Sequence, residues 1–346
     1  MIKFILALTL IIAAQLANAT PPSLWQTIRS GFQLNHHTNK PRVQYFIRYY
    51  QKHPQLLHDV IMQSKPFLYL VVKQTQKLDL PTELALVPII ESAFHNTATS
   101  DVGASGAWQL MPGTAENYGI YINSSWYDGR QEIINSTAGA LTYLRYLHNY
   151  FDSNWLLALA AYNAGEGNVA QAIHYNLVKH RNTDFWYLNL PQQTRLYVPK
   201  LLAFAAIINN PNYYGIKLPP ISAQAIVAPV FLPRQMSLIR SAHFAGISLA
   251  NLQKLNPAYK QLITPPHGTY DLLLPINHVV EFEKNLAIHA NPNSRTWHLY
   301  TVKPGDTLST IASRTNIGVR TLMYYNRLYG SRINVGQRLI VPKHMH

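Results

Sequence analysis

The sequence predicts a mainly α domain followed by two small α+β modules, and three observations carry that prediction. Apolar residues recur with a helical period from about residue 22 to residue 210. The composition then changes at Pro211-Asn212, where LPPISAQAIVAPVFLP brings prolines and β-branched residues. Beyond it a shift of 70 positions aligns Leu238 with Leu308, Ala242 with Ala312, Ile247 with Ile317, Leu252 with Leu322 and Asn256 with Asn326, the mark of a repeated unit.

The chain opens with Met1-Ile2-Lys3, the apolar run FILALTLIIAAQL and Ala17-Asn18-Ala19, the order of a secretory signal peptide over residues 1–19. The run is shorter than the roughly 20 residues of a membrane span, so an uncleaved inner-membrane anchor is the lesser reading. With no cysteine, disulfides, zinc–thiolate sites and a lipid on an N-terminal cysteine are excluded. The expectation is an exported protein of the cell envelope or periplasm, 48% apolar and 13% charged, with two or three ordered domains. Its net charge of +14 favours anionic partners, and the export signal argues against nucleic acid among them.

Residues 20–80 read as helices, in pieces such as VQYFIRYYQKHPQLLHDVIMQ, punctuated by Pro41, Pro54 and Pro66. From 81 to 210 the pattern stays helical, clearest in STAGALTYLRYLHNYF and NWLLALAAYNAGEGNVAQAI, and nothing there alternates like a strand. Residues 211–227 read as a linker. In the second repeat, 298–342, a strand meets a Pro304-Gly305 turn, Asp306 stands where a helix N-cap belongs, two short helices follow, and a last strand comes after Gly336. This βααβ order resembles the LysM carbohydrate-binding module, with YTVKPGDTLSTIA its most specific element. The first repeat, 228–277, carries Gln235-Met236-Ser237 where the second has Gly305-Asp306-Thr307, and reads as a degenerate module.

A helix from Glu83 to Phe94 would set Leu84, Val87, Glu91 and Phe94 on one face, placing the Glu91 carboxylate in a core stripe. Pro88 would kink that helix, and burial would raise the pKa of Glu91 so that it can serve as a general acid. Asn96-Thr97 and Ser100-Asp101 are turn formers, Gly103 and Gly106 allow close backbone approach, and Trp108-Gln109 pairs an aromatic face with an amide.

Glu91-Ser92, GASGAWQ at 103–109, AYNAGEG at 161–167 and TRLYVPK at 194–200 match in order the four motifs of the family 1 lytic transglycosylases. The resemblance implies a lysozyme-like helical domain over 81–210 and peptidoglycan glycan strands as the partner. It also implies Glu91 as the single catalytic acid/base, with Ser92, Ser100, Gln109, Tyr162, Asn163 and Tyr197 holding substrate or orienting the acid. In the second module it implies glycan contacts around Gly305, Asp306, Thr307 and Asn326. Departures from the pattern are Ala107 for a leucine, Gln193 for a glutamate and Glu132-Ile133 for Asp-Pro, none of which removes a catalytic group.

One acid suffices where the substrate assists: Glu91 would protonate the bond leaving N-acetylmuramic acid, the 2-acetamido group would stabilise the cation, and the C6 hydroxyl would close a 1,6-anhydro ring. The alternatives are a hydrolytic muramidase of the goose-lysozyme type, needing a second acid with Glu166 as the nearest rival, and a catalytically silent wall-binding protein. No cofactor is implied. His36-His37 and His344-Met345-His346 lack ligand spacing with other donors, and read as solvent-exposed rather than as a metal site.

Overall fold

The structure, a computed structural model, describes residues 23–232, 235–266, 270–289, 297–315 and 317–342. The expected signal segment and the terminal histidines lie outside these residues. The chain divides into two compact units, one of Met1–Leu86 with Pro199–Ala225, the other of Val87–Val198 with Ile226–His346. Among the described residues no helix is long and apolar enough to cross a membrane.

In the first unit the helices Leu24–Ser30, Pro41–Lys52, Pro54–Ser64 and Leu68–Lys77 form in sequence. Pro41 and Pro54 occupy first turns, where the missing N–H leaves no bond unmade. Leu24, Ile28, Ile47, Ile61 and Val72 bury the apolar stripe. Leu24 N donates to Ile221 O at 2.9 Å, and the Trp25 indole donates to Pro219 O at 2.7 Å. Fully buried Glu83 accepts from the Gln33 and Leu34 backbone N–H groups and lies 3.2 Å from His36 Nε2. That pairing corrects the reading of His36 as a solvent-exposed side chain.

The second unit begins at Val87. No single helix runs from Glu83 to Phe94: a 3-10 turn covers Thr82–Leu86, and an α-helix covers only Val87–Ser92. Pro88 therefore sits in a first turn and kinks nothing. Ala93 and Phe94 adopt positive φ, 51° and 63°, and close the helix, with Phe94 N donating to Pro88 O at 3.0 Å. The helices Pro112–Asn117, Ile133–Tyr150, Trp155–Ala164 and Glu166–Val178 follow, and the helix Gln192–Asn209 contributes its residues up to Val198. The expected NWLLALAAYNAGEGNVAQAI helix is broken at Gly165, whose φ of 85° suits glycine. A two-residue hairpin pairs Ile122–Asn123 with Tyr127–Asp128, a strand signal too short to read from alternation.

Both repeats fold as βααβ units. In the first, Val227–Leu232 pairs antiparallel with Tyr270–Pro275 around the helices Leu238–Phe244 and Leu249–Leu255. In the second, Trp297–Thr301 pairs with Arg338–Pro342 around Leu308–Arg314 and Val319–Tyr325. The aligned asparagines do identical work. Asn256 Nδ2 donates to Leu252 O and Leu273 O while Oδ1 accepts from Leu273 N. Asn326 Nδ2 donates to Leu322 O and Ile340 O while Oδ1 accepts from Ile340 N. Each amide locks its second helix to its closing strand. The first module also carries a helix the sequence did not suggest, Val279–Ile288, which buries Phe282 in that module's core.

The first module is joined to the helical part of its unit. Asp128 N donates to Ala258 O and Lys260 N to Trp126 O, both at 2.9 Å, and Trp126 and Tyr127 belong to the module's apolar core.

Candidate active site

Three chain segments converge on Glu91. The carboxylate leaves the last turn of Val87–Ser92 half-buried, and the Tyr197 hydroxyl, from the helix Gln192–Asn209, donates to its Oε1 at 2.6 Å. Burial, then the Glu91 charge, pushes the Tyr197 hydroxyl well above the usual phenol range, and the same two causes act in the same order on Tyr162. Both phenols therefore stay protonated and able to donate at any physiological pH.

The loop after Glu91 is held by its own polar side chains. The Ser92 hydroxyl donates to Ala107 O at 2.9 Å, tying the helix Val87–Ser92 to the GASGAWQ stretch. Ser100 Oγ accepts from Ala104 N at 3.0 Å, and Gln109, at φ 49°, donates its amide to Gly106 O at 2.8 Å and Ala98 O at 3.2 Å. Tyr162 donates to Trp108 O at 2.8 Å, and Asn163 Oδ1 accepts from the Thr194 hydroxyl at 2.9 Å. Trp108 is core: fully buried, its indole N–H donates to Thr137 Oγ1 at 2.9 Å. The motifs thus meet through Glu91–Tyr197, Ser92–Ala107 and Tyr162–Trp108, while Ser100 and Gln109 shape the loop between them.

The Arg130 fork and the capping role of Glu132 escaped the sequence reading. Buried Arg130 forms a fork with Asp128, Nε to Oδ1 at 2.9 Å and Nη2 to Oδ2 at 2.8 Å, and its Nη1 reaches Gly103 O at 2.7 Å. A Cβ on Gly106, at φ 82°, would stand 1.7 Å from Arg130 O, so only glycine lets these two backbones meet. Glu132, at the expected Asp-Pro position, caps the helix Ile133–Tyr150 by accepting from Ile134 N at 2.8 Å and Asn135 N at 2.7 Å. Burial raises the Glu132 pKa, and those N–H bonds counter it. Buried Asn96 has no hydrogen-bond partner for either amide atom among the described residues. An Asp-x-Arg spacing was the only sequence signal for the Arg130 fork, whereas Gly106 was already legible as a point of close backbone approach.

In the second module the N-cap of Leu308–Arg314 is Thr307, in a capping box with Thr310, which corrects the assignment of that role to Asp306. Asp306 instead staples the turn. It accepts from the Tyr300 hydroxyl at 2.6 Å and Lys303 N at 2.8 Å, and pairs with Arg314. These bonds, led by Tyr300, hold its carboxyl down at about 2. Gly305 turns at φ 84° with open space around it. Among the described residues no group of His, Cys, Asp or Glu side chains could hold a metal ion.

Family models match the chain in three places. The model described as Transglycosylase SLT domain covers residues 69–185, LysM domain covers 300–342, and Lytic transglycosylase MltD, LysM-like domain covers 227–291. Membrane-bound lytic murein transglycosylase D of Escherichia coli (strain K12) is 37% identical over 302 residues, 84% of this chain and 67% of its own. A putative tributyltin chloride resistance protein of Alteromonas sp. (strain M-1) is 42% identical over 149 residues, 43% of this chain and 71% of its own. The crystal structure of the soluble lytic transglycosylase SLT70 of Escherichia coli overlaps 50% of this chain and 30% of its own, at 25% identity and a TM-score of 0.37. The mostly helical, lysozyme-like SLT domain and the two modules after it place the chain in the lytic murein transglycosylase family.

Proposed function

We propose that Glu91 is the only carboxylate this enzyme uses, first as acid and then as base, to cleave the β-1,4 bond between N-acetylmuramic acid and N-acetylglucosamine. The observation that carries this reading is the disposition of every other acid between residues 81 and 210. Glu83 accepts from the Gln33 and Leu34 backbone N–H groups, Asp128 is paired with Arg130, Glu132 caps a helix, and Glu166 accepts from the Tyr143 hydroxyl at 3.0 Å. Asp101, Glu116, Asp152 and Asp184 are exposed. The missing nucleophile is then the substrate's own 2-acetamido oxygen.

Protonated Glu91 gives its proton to the glycosidic oxygen as that bond breaks, and the acetamido oxygen closes on C1. Glu91, now ionised and held by the Tyr197 hydroxyl, takes the proton of the C6 hydroxyl. The C6 oxygen displaces the acetamido group at C1 and leaves a 1,6-anhydro ring, consuming no water. Ser92, Ser100, Gln109, Tyr162 and Asn163 hold the cleft that receives the sugars. Export to the periplasm and attachment to the wall through the second module, around Gly305, Asp306, Thr307 and Asn326, complete the reading. The Asn326 amide is already engaged with backbone groups, so its part there is to hold the site's shape.

Incubation of purified peptidoglycan with the enzyme and its Glu91→Gln variant, followed by mass spectrometry of the soluble fragments, tests this. Anhydromuropeptides from the wild type alone are expected. Reducing-end products would make the enzyme a hydrolase and reopen the search for a second acid.

A further inference from the structure

The proposed cleft does not end at Tyr162. Tyr162 is the first ring of a continuous series, with its centroid 5.6 Å from that of Tyr143. Tyr143 lies 5.1 Å from Tyr118 and 6.4 Å from Tyr146, stacked on the latter within 16° of parallel. Tyr146 in turn lies 6.0 Å from Tyr150. Tyr143, Tyr146 and Tyr150 stand three and four residues apart on the helix Ile133–Tyr150, so one helix face presents all three. Exposure grows along the series: Tyr143 is half-buried, Tyr146 is 44% exposed and Tyr150 49% exposed.

The inner end is fixed and the outer end is open. Tyr143 is pinned by its hydrogen bond to Glu166 at 3.0 Å, and Tyr162 by its bond to the Trp108 carbonyl at 2.8 Å. The outer rings are large apolar faces left in water on a helix whose other surface is well buried through Leu141, Leu144 and Leu147. Packing does not require tyrosine at 146 or 150, since a lysine or glutamate there would be as good a helix former and better solvated. A row of flat rings with hydroxyl edges suits a β-1,4-linked glycan, whose sugar rings show C–H faces to an aromatic and hydroxyl and acetamido groups to its edge.

We infer that Tyr143, Tyr118, Tyr146 and Tyr150 form an aromatic track that seats the murein strand beyond the sugars at the scissile bond, making the enzyme favour long glycans over short ones. The inference rests on the proposed cleft at Glu91 and adds to it the direction in which the strand leaves. Its occupant is the glycan itself, because the track is continuous with Tyr162, one of the two tyrosines on which the Glu91 charge acts.

The test uses the full chain and peptide-free strands of alternating N-acetylglucosamine and N-acetylmuramic acid in two lengths, tetrasaccharide and dodecasaccharide. The ratio of kcat/KM for the long strand to that for the short one is measured in the wild type, in Tyr146→Ala/Tyr150→Ala and in Tyr146→Phe/Tyr150→Phe. An aromatic contact of about 1 kcal/mol corresponds to about fivefold, so the alanine pair should lower the ratio by roughly five- to thirtyfold while the phenylalanine pair keeps it. The LysM contribution is common to all three proteins and cancels. A wild-type ratio in the alanine pair, or an equal loss in the phenylalanine pair, overturns the track. If the wild type cuts neither strand, the proposed activity fails, and the length dependence of binding to the same strands decides the track by itself. Retention by the alanine pair of any wild-type affinity gain with length would again refute it.

Discussion

Replacing Tyr197 by phenylalanine isolates one bond. The ring is buried at 6% exposure and would keep its packing, so the change removes only the hydroxyl that donates to Glu91 at 2.6 Å. A hydrogen bond to a charged group contributes about 1.5–3 kcal/mol, and about 1.4 kcal/mol is tenfold in rate. Tyr197→Phe should therefore lower kcat/KM on murein by roughly 10- to 100-fold. The pH profile should move in a defined direction. The hydroxyl stabilises ionised Glu91, so its loss favours the protonated acid, and the alkaline limb of activity moves to higher pH. Tyr197 is itself pushed well above the usual phenol range and so does not titrate within that limb. The assay is release of soluble fragments from peptidoglycan across pH, with thermal melting to confirm the fold. A variant with wild-type kcat/KM and an unmoved alkaline limb would refute the claim that this bond orients the catalytic acid.

Other substitutions test the frame around the site. Gly106→Ala should destabilise by about 3 kcal/mol or more, because its Cβ would overlap Arg130 O and φ 82° strains any L-residue; denaturant midpoints report it. Asn256→Ala and Asn326→Ala should each cost about 2–3 kcal/mol in chemical denaturation, since each orphans backbone groups between a helix and a strand. The Asp306 staple has a folded pKa of about 2 against an unfolded value near ~3.9. Its stabilisation of the turn is thus complete above pH ~4 and is lost as pH falls through about 2. The protection of the Lys303 amide from exchange, relative to its unstructured rate at the same pH, should fall as pH drops through that window and stay constant above it.

The helices of the first unit were legible because Pro41 and Pro54 mark their first turns directly. The break between Trp155–Ala164 and Glu166–Val178 was not, since Gly165 ends one helix and begins the next with no gap in apolar periodicity. The helix Val279–Ile288 escaped because its N-cap, His278, makes no side-chain cap bond and only Phe282 is buried from it. At the site, the Glu91–Tyr197 contact joins residues 106 positions apart, and no local pattern announces it. The ordered motifs brought both residues forward, whereas Arg130 stayed hidden because two of its acceptors are backbone carbonyls, which leave no trace in side-chain identity.

The degenerate loop of the first module shows what a repeat can do after losing its pattern. Where the second module has Gly305-Asp306-Thr307, the first has Gln235-Met236-Ser237, and each of the three is engaged inside the protein. Gln235 donates to Trp297 O at 3.1 Å and accepts from Trp297 N at 2.6 Å, a two-way pairing with the first strand of the second module. Met236 N donates to Thr264 Oγ1 at 2.9 Å, and Ser237 caps the helix Leu238–Phe244. On another edge of the same module, Lys260 donates to Gln131 Oε1 at 2.6 Å, and Gln131 Nε2 donates to Ser105 Oγ at 3.0 Å. Ser105 lies in the loop shaped by Ser100 and Gln109, so two side chains connect the first module to the loop that follows Glu91. Burial lowers the Lys260 pKa, yet the residue keeps a neutral amide oxygen as its acceptor, an arrangement that fixes position more than it gains charge attraction. Lys260→Met would leave Gln131 Oε1 without this donor and loosen the loop from that side. Loss of peptidoglycan cleavage by Lys260→Met with recovery in Lys260→Arg would show that the module supports the cleft, whereas wild-type cleavage by Lys260→Met would reduce it to a spacer.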